Sequence, residues 1–112
     1  MKHIELSQIP ITRVSHNAAI QKQVMLQPGD IPNLIYFSQA RLQPGQVAPG
    51  HSHTDMSEVF LVESGTGSIT IDATTHSLHP GTCVVVQPGE IHEVSNTGTV
   101  ELVLTYFGIQ MG

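Results

Sequence analysis

The sequence predicts an all-β sandwich or barrel. Three observations carry this. Short apolar runs recur along the chain, with turn residues between them at regular intervals. Helical periodicity is almost absent. Several runs are apolar on both faces, as strands are when something covers them on two sides.

Along the chain, residues 1–33 read as an N-terminal arm with strand character. "NAAIQKQVML" is the one helical candidate, and its Val24-Met25-Leu26 end favours a strand. The apolar runs that follow are Leu34–Leu42, Val59–Val62, Ile69–Ile71, Thr82–Val86 and Val100–Phe107. The turns between them fall at Pro44-Gly45, Pro49-Gly50, Gly65-Thr66-Gly67, Asp72-Ala73-Thr74, Pro80-Gly81, Pro88-Gly89 and Asn96-Thr97-Gly98. Residues 34–112 are assigned to a barrel, within one domain overall. Two segments echo each other, "LQPGQVAPGHSH" and "LHPGTCVVVQPGEIH". They read as two similar hairpins on one barrel. Val59-Phe60-Leu61-Val62, Cys83-Val84-Val85-Val86 and Leu102-Val103-Leu104 are the two-sided runs, so a second sheet and a second subunit are both expected as cover.

Composition excludes several classes. The formal charge is −5, and the four cations Lys2, Arg13, Lys22 and Arg41 are scattered rather than clustered. That disfavours a nucleic-acid partner. Cys83 is the single cysteine, so neither a disulfide within the chain nor a multi-thiolate zinc site can form. Cys83 itself is expected as a small buried hydrophobe. No apolar run reaches the roughly eighteen residues that span a bilayer, and the N-terminus lacks a signal-peptide pattern. A cytoplasmic protein without membrane partners is expected.

Seven histidines against 12% charged residues direct attention to imidazole. His51 and His53 are two apart, so on a strand they project from one face, about 6–7 Å from each other. Glu58 has the wrong parity for that face within one strand. The turn-prone "TDMS" resets it, so Glu58 opens the next strand towards the same interior. His92 follows Pro88-Gly89 and starts another strand. Three imidazoles and one carboxylate suit one divalent transition metal per chain: Mn, Fe, Co, Ni, Cu or Zn.

These residues resemble the cupin superfamily. Gly45, five residues, His51-x-His53, four residues, Glu58, six residues, Gly65 is similar to its first signature. Gly81, six residues, Pro88-Gly89, two residues, His92, three residues, Asn96 is similar to its second, with Gln87 where proline is usual. Together they cover Gly45 to Asn96. The likeness is to small bacterial proteins made of a single cupin domain. It implies a double-stranded β-helix, or jelly-roll barrel, with His51, His53, Glu58 and His92 around a central metal. It also implies homodimers in which N-terminal strands pack across the partner, which would place residues 1–33 at the interface.

His3, His16, His76 and His79 read as surface or internally satisfied histidines, and Asp55 and Glu93 as solvated. Met56, Phe60, Tyr36 and Tyr106 either fill the core or line a pocket. Two functions stay open. One is a metalloenzyme of oxygenase, isomerase or lyase type acting on a small molecule at open metal positions. The other is a non-catalytic module that binds a small ligand or ion. The complete ligand set leans towards the enzyme; the want of an evident general base leans against naming a reaction.

Overall fold

The structure, a computed structural model, describes residues 1–14 and 17–111. His16 lies outside the described residues. After a single 3₁₀ turn at Leu6–Gln8 come strands β1 (Thr12–Val14), β2 (Asn17–Leu26), β3 (Leu34–Leu42), β4 (Val47–His51) and β5 (Met56–Ser64). Then follow β6 (Gly67–Ile71), β7 (Thr74–Leu78), β8 (Cys83–Val86), β9 (His92–Ser95) and β10 (Leu102–Gln110). Every pairing is antiparallel. A six-stranded sheet runs β1-β2-β3-β10-β5-β8, and a four-stranded sheet runs β4-β9-β6-β7. The two face each other as a double-stranded β-helix, the jelly-roll arrangement.

The helical candidate is strand throughout. "NAAIQKQVML" pairs with β3 over Gln21 to Leu26, and Ile20 is almost fully buried beneath it. Cross-strand pairing on both edges outweighs the helix propensity of Ala, Gln and Lys. β1 and β2 thus belong to the same sheet as β3. β2 also closes against β4: Asn17 donates to the Val47 carbonyl at 2.9 Å, and the Gln46 amide donates to Ala19 at 3.2 Å.

The two echoed segments are not hairpins. Each carries the chain from one sheet to the other, β3 to β4 in the first and β7 to β8 in the second. The Pro-Gly corners make the crossing: Gly45 and Gly81 have φ of 85° and 89°, which glycine reaches without strain. Asn96 secures the first corner, donating to the Leu42 and Val100 carbonyls at 2.9 and 2.8 Å.

Inward rows of Leu42, Phe60, Val62, Ile69, Leu102 and Leu104 make the core. The outward rows differ. Leu61 and Val85 are 39% and 50% exposed. Cys83 is exposed, not buried as expected. On the edge strand β8, alternation sends Val84 and Val86 inward and Cys83 and Val85 outward; an all-apolar run hides that alternation. Among the described residues no helix is long and apolar enough to cross a membrane.

Candidate metal centre

One ligand atom from each of His51, His53, Glu58 and His92 lies within 4.8 Å of the others. The four come from both sheets. β4 ends at His51, so His53 stands in the loop that crosses to β5 and not on the strand as the spacing predicts. The Gly89 amide holds that loop, donating to the His53 carbonyl at 2.7 Å. His51 and His92 are register partners across β4 and β9, with ring centroids 4.2 Å apart. Asp72 anchors the start of β9: its amide donates to the Ile91 carbonyl at 2.8 Å, and its carboxylate accepts from the Ile91 amide at 2.9 Å. Glu58 points inward from β5 in step with Met56, Phe60 and Val62, as the parity argument requires. His3, His76 and His79 are exposed and stand apart from this group.

Tyr36, whose facing the sequence leaves open, proves to be part of the arrangement. Its hydroxyl donates to Glu58 Oε2. That leaves Oε1 facing His92 Nε2 at 2.9 Å and His53 Nε2 at 3.3 Å. Tyr36 is 22 residues from Glu58 in sequence, and only the β3–β10–β5 register brings them level. No sequence spacing could have signalled it.

The donor set fits a cation. His51 Nδ1 lies 3.0 Å from the Pro49 carbonyl, and His92 Nδ1 lies 3.3 Å from the Glu90 carbonyl. A carbonyl only accepts, so both Nδ1 atoms carry the proton. In the neutral ring Nε2 then holds a lone pair. His92 Nε2 and Glu58 Oε1 are buried and neither has a well-formed hydrogen bond, although they are 2.9 Å apart. The short distance reflects an ion pair or two lone pairs converging, and a proton or a metal ion between them resolves it.

Without metal, the pair titrates in opposite directions. Burial pushes the Glu58 carboxyl up, but the facing His92 imidazole and the Tyr36 hydroxyl outweigh it and hold it below 4.5. Burial pushes His92 down, yet the Glu58 carboxylate and the Glu90 carbonyl outweigh it and lift it above 6.5. Burial and the Glu58 charge also raise Tyr36, and raise Tyr106 to about 12. The contribution of Glu58 to stability is present above 4.5 and is lost as pH falls through its lowered folded value. That of His92 is full below 6.5 and is lost as pH rises through its raised folded value. Chelator-treated protein is therefore expected to resist urea best between these values, and Glu58→Gln should flatten the profile. A midpoint that climbs steadily from pH 5 to pH 8 would contradict the pairing.

The four side chains open onto a cavity of about 210 Å³ whose lining is mainly apolar. Tyr106 stacks on Phe60 with centroids 5.4 Å apart, and Tyr36 meets Tyr106 edge-on at 5.6 Å. Of the four residues left open between core and pocket, Tyr36 and Tyr106 line the cavity, Phe60 belongs to both core and wall, and Met56 is buried away from the lining.

No curated protein sequence matches the chain. Among solved structures it is similar to a predicted oxalate decarboxylase from Thermotoga maritima, with TM-score 0.91 at 20% identity, covering 98% of this chain and 100% of that one. It is also similar to KdgF from Halomonas sp., with TM-score 0.81 at 17% identity, covering 97% and 94%. The polyketide cyclase RemF from Streptomyces resistomycificus gives TM-score 0.82 at 15% identity, covering 97% and 79%. At such identities the likeness is one of fold. The sequence model for the cupin domain matches residues 38–107, a stretch that runs from β3 to β10 and contains all four convergent side chains; the chain belongs to the cupin family.

Proposed function

We propose that the protein is a metal-dependent enzyme acting on a small molecule, with His51, His53, Glu58 and His92 holding one divalent transition metal. The observation that carries this is the convergence of four donors, two of them buried without a well-formed hydrogen bond, at the wall of an apolar cavity. Such a metal supplies Lewis-acid or redox chemistry at the positions its protein ligands leave open. The chain's own residues prepare the place for it. Pro49 and Glu90 carbonyls fix the rings of His51 and His92 through Nδ1. Tyr36 holds Oε2 of Glu58 and thereby aims Oε1 at the histidines. The apolar walls exclude water and strengthen electrostatic interactions inside.

A non-catalytic binding module is the second reading. The tyrosines favour it: both lie further from neutrality than a free phenol, which makes them poor proton donors and acceptors at neutral pH. Elemental analysis of protein purified without added metal, followed by incubation with small acids, phenols and sugars under air and under nitrogen, separates the cases. Near one equivalent of metal with product detected by mass spectrometry supports the enzyme. Metal and ligand binding without turnover supports the module. Absence of any metal preference would sink both forms of the metal reading.

We also propose a homodimer in which a second copy covers the exposed Leu61 and Val85 rows. Light scattering is expected to give about twice the chain mass of 12.1 kDa. The single-chain mass at micromolar concentration would end that idea.

A further inference from the structure

One basic side chain on the cavity lining lies outside the candidate ligand group. Lys22 lines the cavity, from β2. It has the parity of Ile20, which is buried, and of Val24, which also lines the cavity. Across the sheet it is level with Ala40, whose small side chain leaves room beside it. It is the one lysine or arginine on the lining. Lys2 pairs with Asp30 at 2.6 Å, and Arg41 with Glu101 at 2.8 Å. Among the described residues, the Lys22 ammonium forms no salt bridge.

The one carboxylate on the lining cannot serve it. Glu58 is taken up by Tyr36, His53 and His92. Its row across the sheet passes through Gly108 to Tyr36, whereas the row of Lys22 passes through Ala40. Those rows are four residues apart along β3, or ~13 Å. The candidate metal centre and the backbone of Lys22 therefore stand at separate rows of the cavity wall. Between them lies an aromatic and aliphatic wall. A dry apolar cavity of ~150 Å³ accommodates benzene. The roughly 210 Å³ here suits one ring, or a branched chain of like bulk, with small polar substituents.

We propose that Lys22 makes this cavity selective for a small carboxylic acid with a flat apolar body. The carboxylate pairs with the ammonium, the body lies along the Tyr106–Phe60 wall, and the far end faces the histidines. A cation on an otherwise apolar wall is costly unless a ligand anion or water meets it. An anion there is bound by charge as well as by shape, and its neutral isostere by shape alone. The proposal deepens the reading of the site as one for small molecules, and it rests on that reading.

The test uses benzoate and benzamide, which match in shape and differ in charge. Each is titrated by calorimetry at pH 7 into the protein as purified and after chelation, where no metal can attract the carboxylate. Wild type is expected to bind benzoate at least tenfold tighter than benzamide in both states. Lys22→Met should bring the two within about twofold, with its metal content unchanged, and Lys22→Arg should keep most of the preference. Raising the salt concentration should weaken benzoate and spare benzamide, a comparison that needs no variant. Equal binding of the pair by wild type overturns the proposal. So does a preference that survives Lys22→Met, or binding of neither compound. If the acid preference holds but the protein takes no metal, the metal reading fails and the assignment of Lys22 stands. If metal binds without an acid preference, the reverse holds.

Discussion

Protein carrying His51→Ala and His53→Ala together is expected to lose its stoichiometric metal. The substitutions leave Glu58 and His92, which face each other at 2.9 Å, as the remaining donors of the group. Loss of a supporting outer partner of a metal ligand typically lowers affinity ~10–100-fold, so loss of two ligands should exceed that. Both histidines are only partly buried, one at the end of β4 and one in a loop, so the barrel should persist. Metal per chain by mass spectrometry, beside far-ultraviolet circular dichroism, decides the matter. A full equivalent retained by the folded double variant means that the ion sits elsewhere.

Gly65→Ala should be among the most destabilising single changes in the chain. Gly65 has φ of +83°, where a Cβ is strained. An added Cβ would also sit 2.2 Å from the Glu101 carbonyl oxygen and 2.8 Å from Leu102 Cα. Both obstacles are backbone, at the entry to β10, and neither can swing aside. Gly81 and Gly89 provide the control. Their φ values are 89° and 84°, but a Cβ at either meets nothing within 4 Å. Alanine there should cost about 1 kcal/mol from the conformation alone. At Gly65 the loss should exceed ~3 kcal/mol, in the range reserved for overpacking combined with backbone strain. Urea midpoints of the three variants measure the difference. Equal losses would mean that the close approach to Glu101 is not rigid.

How much of this was legible in the sequence depended on whether a residue's role was local. β3 matches its apolar run to the residue, because Pro44-Gly45 and the Pro-Asn pair before Leu34 delimit it. The four donors were legible because their types are rare and their spacing is short. β7 was not: "TTHSL" is exposed except for Leu78, so no apolar run announces it. The roles of Tyr36 and Lys22 depend on register between strands distant in sequence, which spacing does not encode. Cys83 misled because its neighbours are apolar on both sides of the strand, and burial then differs between faces that composition makes alike.

The position of β10 has a consequence for the order of assembly. It lies between β3 and β5, and among the described residues no other strand pairs with both. Its partner residues in β3 are far upstream: Leu102 pairs with Leu42, at positions 102 and 42 of the chain. Closing so long a loop costs entropy before any pairing offsets it. Until β10 docks, Tyr36 on β3 and Glu58 on β5 have no shared sheet to bring them level. The carboxylate is oriented only where that pairing exists, so the arrangement around it depends on the completed topology.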